Sequence, residues 1–343
     1  MEARYTKYIL AFKRPSGTSR GILRQKETYF IELRKGNRMG IGECGLLRGL
    51  SIDDVPHYEE QLAAVCQALS RGLDTKPLCT GFPSIQMGVE MALLSLKSKT
   101  PFALFDTAFT SGIQPIPING LIWMGSMDFM RQQLTDKIEA GFDCIKLKIG
   151  ALDFQQECAL LEDVRKHYSA SQISLRVDAN GAFNPKKALE KLQTLAAFDL
   201  HSIEQPIAAG HVHQLKELCA TTPLPIALDE ELIGIHDTAQ KANLLDTICP
   251  QYIILKPSLL GGFAAAEEWI TLAEERNIGW WVTSALESNI GLNAIAQWTS
   301  SLKTKLPQGL GTGGLYTNNV ESPLVVDAGV LRYDKTKNWV YPH

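Results

Sequence analysis

The chain has 343 residues, 45% hydrophobic and 21% charged, which suits a soluble globular protein too large for one simple core. A net charge of −3 argues against nucleic acid or a membrane surface as partner, and no uncharged run reaches membrane-spanning length. Seven widely spaced cysteines, without a C-x-x-C pair, fit reduced thiols in a cytosol better than zinc ligands or a disulfide framework.

The opening MEARYTKYILAFKRPSG lacks the apolar core of a signal peptide, so a cytoplasmic location is expected. Within it begins PSGTSRG (15–21), whose glycines and serines suggest a mobile lid, with Arg20 a candidate partner for a substrate carboxylate. Residues 27–43, ETYFIELRKGNRMGIGE, alternate apolar and polar around Lys35-Gly36-Asn37 and predict a β-hairpin. GIGECG matches G-x-G-x-x-G through Gly40, Gly42 and Gly45. LLRGLS follows where a dinucleotide fold needs a helix, so the match reads as a loop of the first domain. Residues 51–72 predict a helix opened by Ser51 and closed near Gly72, and SIQMGVEMALLSLKSK (84–99) predicts a second. Residues 1–113 together read as a small α+β domain.

From IPING (116–120) a different rhythm begins, in which a short apolar strand, a polar tip and an amphipathic helix recur. The strands are CIKLKI, ISLRVDAN, HSIEQP, PIALDEE, YIILKPS and WWVTSALES, with PQGLG a candidate for the last. Helices are expected over 152–168, 185–197, 212–220, 236–246, 262–276 and 288–300. Such alternation argues for parallel strands with right-handed crossovers, and about eight units over 114–314 fit a modified (β/α) barrel. The remaining 315–343 has strand-like SPLVVDAGVLRY and is expected to return to the first domain.

Polar residues at the strand ends carry the chemistry. Lys148, Asp178, Glu204, Asp229 and Lys256 recur every 25 to 30 residues, one βα unit each, which puts them at one level of the barrel's C-terminal mouth. Three carboxylates on adjacent strands repel unless a cation sits among them, and an all-oxygen set suits Mg²⁺, with Mn²⁺ an alternative. Lys146 and Lys148 share one face of their strand, roughly 7 Å apart. At that distance Lys146 disfavours a proton on Lys148 by roughly 2 kcal/mol at an effective dielectric near 20. Lys148, nearer the strand end, is therefore the expected base and Lys146 its tuner. Ser284, Glu287 and Ser288, after the seventh strand, are candidates to bind a substrate carboxylate, although Ser288 also suits a helix N-cap. Arg176, two residues before Asp178, is expected in a salt bridge behind it. His211 and His213 read as surface residues.

The series KLK, DAN, IEQP, LDE and LKPS resembles the enolase superfamily, in its muconate-lactonizing-enzyme-like branch. SALESNIGLNAIAQW and GLGTGGLYTNN bring the whole chain nearest to the o-succinylbenzoate synthases of menaquinone biosynthesis. The resemblance implies a barrel capped by an α+β domain built from the N-terminal part and the C-terminal tail. It implies Asp178, Glu204 and Asp229 as Mg²⁺ ligands, and Lys148 as the acid/base that removes a proton α to a carboxylate. Lys256 would stabilise the resulting metal-bound enediolate from the other side. The implied reaction is dehydration of 2-succinyl-6-hydroxy-2,4-cyclohexadiene-1-carboxylate to o-succinylbenzoate by a lyase. Racemases or epimerases of N-acylamino acids or dipeptides and cycloisomerases share these lysines and stay open as alternatives. A non-catalytic barrel binding a small acid has no use for lysines on both sides of a metal.

Overall fold

The computed structural model describes residues 1–18, 21–302 and 304–341. The chain opens with an antiparallel sheet, β1 (Glu2–Thr18), β2 (Gly21–Lys35) and β3 (Arg38–Cys44), in that order. β2 and β3 form the expected hairpin, turning at Gly36, whose φ of 58° favours glycine. β1 has no counterpart in the sequence reading. It is an edge strand studded with Arg4, Lys7 and Lys13, and that charge blurs its alternation. The described part of the expected lid is strand: Ser16, Gly17 and Thr18 pair with Leu23, Ile22 and Gly21, and Gly17 also bridges to Met124. Arg20 lies outside the described residues.

Helices Tyr58–Arg71 and Pro83–Lys97 pack on this sheet. The first starts seven residues later than Ser51 because Pro56 disfavours helix at residue 55, while Ser51 Oγ instead accepts from Leu47 N at 2.9 Å. It ends at Gly72 as expected, with φ 71°. The second helix crosses β3 so closely that a Cβ on Gly42 would lie 1.9 Å from Gly88 O. The motif is thus not the expected loop at Gly40 and Gly42, which lie in β3 and serve helix–sheet packing; Gly45, just past the strand, sits against Ser258 and Glu287 of the barrel.

Strands β4 (Ile116–Pro117), β5 (Gly120–Ile122), β6 (Cys144–Lys148), β7 (Ser174–Asp178), β8 (Ser202–Glu204), β9 (Ile226–Leu228), β10 (Tyr252–Leu255) and β11 (Gly279–Val282) follow. β5 through β11 make one seven-stranded parallel sheet in sequence order, with a helix after each strand. The helix after β5, Met127–Glu139, is absent from the sequence reading. PQGLG supplies the eighth position without becoming a full strand: Gln308 bridges to Ile118 and Gly309 to Thr283, both parallel, which closes the ring. Side chains at alternate positions, including Ile145, Leu147, Leu175, Val177, Ile203 and Ile253, belong to the main apolar core.

The hairpin β12 (Leu324–Asp327) and β13 (Val330–Tyr333) pairs with β4. Beyond it Trp339 stacks on Phe102 at 4.3 Å, and Tyr341 donates to Glu32 at 2.9 Å. Asn318 bonds Ile9 O and Ala11 N, so the chain's last part also braces β1. The fold class is thus the expected one, a barrel with an N-terminal cap. All seven cysteines are free. Among the described residues no helix is long and apolar enough to cross a membrane.

Candidate active site

Strand pairing sets the level of the polar residues. Lys148 is in register with Asp178, and Asp178 with Glu204. Asp229 and Lys256 lie just past the ends of β9 and β10. The Lys146 and Lys148 nitrogens lie 2.9 and 2.8 Å from one oxygen, Asp178 Oδ2. Lys146 also donates to Glu204 Oε2, and Lys148 to Asn180 Oδ1 at 2.6 Å. Lys256 donates to Asp229 Oδ2 and stands 3.8 Å from Glu204 Oε1.

These contacts set the electrostatics. Burial works to lower the Lys146 pKa, but Asp178 and Glu204 outweigh it and hold the ammonium above the usual lysine value. Lys256 is raised in the same way, by Asp229 and Glu204 against burial. Asp178 resists the upward push of burial because Lys146, Lys148 and Lys256 surround it, and it stays below the usual carboxylate range. Glu204 goes the other way: burial, with Asp178 and Asp229 beside it, raises its pKa.

The donor set suits a hard divalent cation, being three carboxylates from three strands. Glu204 Oε1 is buried and accepts no hydrogen bond from the described residues, which leaves a lone pair for such an ion. As arranged, no group of three acidic, His or Cys side chains among the described residues converges as a metal site. Ammonium groups bridge the carboxylates instead, Lys146 between Asp178 and Glu204, Lys256 between Glu204 and Asp229. Positive charge is what this cluster is shaped to receive.

A cavity of about 270 Å³ opens onto Lys146, Lys148 and Lys256. Ser284 lines it and shares a 2.6 Å hydrogen bond with Thr312. Glu287 and Ser288 do not line it. Glu287 Oε1 accepts from Ser258 Oγ at 2.6 Å, and Ser288 donates through N and Oγ to Glu43 of β3, at 2.8 and 2.5 Å. They face the cap sheet because the chain reverses at Leu286, with φ 64°. Ser288 does cap the following helix, accepting from Ile290 N at 3.1 Å. Among the described residues Arg176 makes no salt bridge. It sits two residues deeper than Asp178, stacks on Trp281 at 4.1 Å and donates to Pro307 O. His211 and His213 are exposed, away from the cavity.

Two site residues escaped the sequence reading. Asn180 holds Lys148 and also donates to Glu230 at 3.1 Å. Gln205 accepts from Asp229 N and Glu231 N, which fixes the start of the loop bearing Asp229. Both have positive φ, 43° and 38°. The visible signal was an amide one or two residues after a strand-end acid, in IEQP and DAN.

Residues 130–336 match the family model described as enolase C-terminal domain-like, and residues 2–96 that described as MenC, N-terminal domain. An o-succinylbenzoate synthase from Desulfotalea psychrophila is 48% identical over 96% of this chain and 98% of its own. The chain belongs to the o-succinylbenzoate synthase family of the enolase superfamily. It is accordingly an enzyme of the lyase class. The crystal structure of MenC from D. psychrophila superposes with a TM-score of 0.86 at 44% identity, covering 97% of this chain and 99% of that one. The L-Ala-D/L-Glu epimerase of Bacillus subtilis is 26% identical over 66% of this chain and 62% of its own. A substrate-liganded structure of that epimerase has a TM-score of 0.82 at 19% identity, covering 97% and 96% of the two chains, a likeness of fold alone.

Proposed function

We propose that the enzyme dehydrates 2-succinyl-6-hydroxy-2,4-cyclohexadiene-1-carboxylate to o-succinylbenzoate, a step of menaquinone biosynthesis. The observation that carries this reading is the pair of lysines, Lys148 and Lys256, opening onto one cavity from non-adjacent strands, in a chain nearly half identical to a synthase along its length. Lys148, with Asp178 and Asn180 holding its nitrogen, removes the ring proton α to the carboxylate. Lys146, kept charged by Asp178 and Glu204, shares the Asp178 oxygen with Lys148 and holds that carboxylate in place beside it. The electron pair left on the ring forms the new double bond as the hydroxyl departs from the neighbouring carbon. Lys148 gives its proton to that hydroxyl, so water leaves and the ring becomes aromatic. Lys256 stays an ammonium throughout and faces the negative charge as it develops.

Asp178, Glu204 and Asp229 are the residues that would hold Mg²⁺, or Mn²⁺ in its place. Such an ion, when bound, supplies positive charge to the substrate carboxylate while the α-proton is lost. The apolar side of the cavity, with Leu23, Leu47 and Trp123, keeps water from the reacting ring.

The test is to incubate the purified protein with Mg²⁺ and the cyclohexadiene carboxylate and follow aromatic absorbance. The expected result is stoichiometric o-succinylbenzoate. No aromatic product, with deuterium exchange into N-acylamino acids or dipeptides, would reassign the enzyme as a racemase or epimerase.

A further inference from the structure

Leu286 lies in the loop between β11 and helix Asn289–Ser301, with φ 64°. The left-handed region suits glycine, and Asn or Asp can relieve it through a local hydrogen bond. Among the described residues Leu286 is the one large aliphatic side chain held there. Glycine would adopt this backbone without strain, so the isobutyl group must be worth keeping.

The strain is held from several directions. Tyr316 Oη donates to Leu286 O at 2.7 Å, and Leu286 N donates to Ser284 Oγ at 3.2 Å. Ser284 is tied to Thr312, Glu287 to Ser258, and Ser288 to Glu43 of the cap. Ser258 comes two residues after Lys256, so the same bonds tie the loop to the segment bearing that lysine. The side chain, 9% exposed, lines the cavity and packs in a cluster with Leu10 and Phe12 of β1, Trp123 and Tyr316. Charge gathers at the lysine end of the cavity, and hydrocarbon gathers here.

We infer that Leu286 is a specificity-determining residue, the wall that receives the hydrocarbon part of a cyclic carboxylate while the lysines take its charged end. The inference rests on the dehydratase reading. A purely structural Leu286 would stabilise the cap–barrel contact without setting what fits the cavity, and that difference can be measured.

The experiment compares wild type with Leu286→Ala, Leu286→Gly and Leu286→Met, each loaded with Mg²⁺. The substrates are the cyclohexadiene carboxylate and a ring-methylated analogue. Removing the isobutyl carbons should raise KM for the natural ring about tenfold while kcat changes less, and Leu286→Met should restore it. The ratio of kcat/KM for the methylated ring to the natural one should rise about tenfold in the Ala and Gly variants. Leu286→Gly, freed of backbone strain, should melt no lower than Leu286→Ala, and it carries the test if the Ala variant fails to fold. A wild type that forms no aromatic product overturns the functional reading and this inference with it. An active wild type whose substrate ratio is unmoved by folded Ala or Gly variants overturns the Leu286 assignment alone.

Discussion

Replacing Glu43 by Ala should loosen the cap from the barrel by a calculable amount. The Glu43 carboxylate is fully buried and accepts from Thr28 Oγ1, Ser288 N and Gly291 N, each at 2.8 Å, and from Ser288 Oγ at 2.5 Å. The two hydroxyls can turn to other acceptors, but the two backbone N–H groups at the start of helix Asn289–Ser301 cannot. Each buried N–H left without a partner costs about 1–3 kcal/mol. Losing the negative charge at the helix N-terminus adds up to about 1 kcal/mol more. The sum is about 4 kcal/mol, a large share of the roughly 5–15 kcal/mol that holds a domain together. Glu43→Gln keeps the shape and one acceptor oxygen, so about half of that loss is expected. Urea unfolding followed by tryptophan fluorescence measures both, and KM should rise in both because the loop tied to Glu43 borders the cavity. A Glu43→Ala protein within about 1 kcal/mol of wild type would show that these hydrogen bonds are replaced by others, and the reasoning would fail.

A second prediction concerns pH. Burial pushes Asp53 up to about 6 from its ordinary 3.8, so its contribution to stability is whole below about 3.8 and lost as pH rises through 6. That amounts to roughly 3 kcal/mol, and Asp53→Asn, which can still accept from Ser84 N, should lack it. Urea melts at pH 4 and pH 7 check this, and parallel pH profiles for the two proteins would count against it. Lys148→Ala should abolish aromatisation while o-succinylbenzoate binding stays measurable by calorimetry. Lys256→Arg should keep partial dehydration, because only a cation is needed there; complete loss would point to a second proton-transfer role. A chelator should stop turnover and Mg²⁺ or Mn²⁺ restore it, with Asp178→Asn, Glu204→Gln and Asp229→Asn not recovering. Full activity in chelator would remove the metal from the scheme.

The barrel was legible because its strands are short and each is read twice, once by the period-two burial of Ile145 and Leu147 and once by the polar residue at its end. β1 was not, since an edge strand needs no continuous apolar face. Gln308 and Gly309, within the PQGLG offered for the last strand, close the ring through single bridges, so the position was legible but not that it would fall short of a full strand. The lysines and carboxylates could be gathered at one level from spacing alone. What spacing could not supply is which way a loop leans. Glu287 and Ser288 follow the seventh strand as a substrate contact would, yet Ser288 finds its partner, Glu43, 245 residues away. Arg176 shows the same limit, because depth along a barrel decides whether an inward side chain meets a carboxylate or the Trp281 ring.

The bonds between Asn318 and the first strand also bear on how the protein is made. Tyr8 donates to Asn318 O across 310 residues of chain. At roughly 5–20 residues per second, synthesis separates those two partners by on the order of 15–60 s. For that interval β1 has emerged while Asn318 and Tyr316, which brace its outer edge, do not yet exist. Gln308 and Gly309, which close the ring, also arrive late, so neither half of the molecule can finish before the other. The nascent chain therefore presents a long, half-paired strand to the cell before release, and that edge is where a holding chaperone would be of use or a neighbouring nascent chain would mispair.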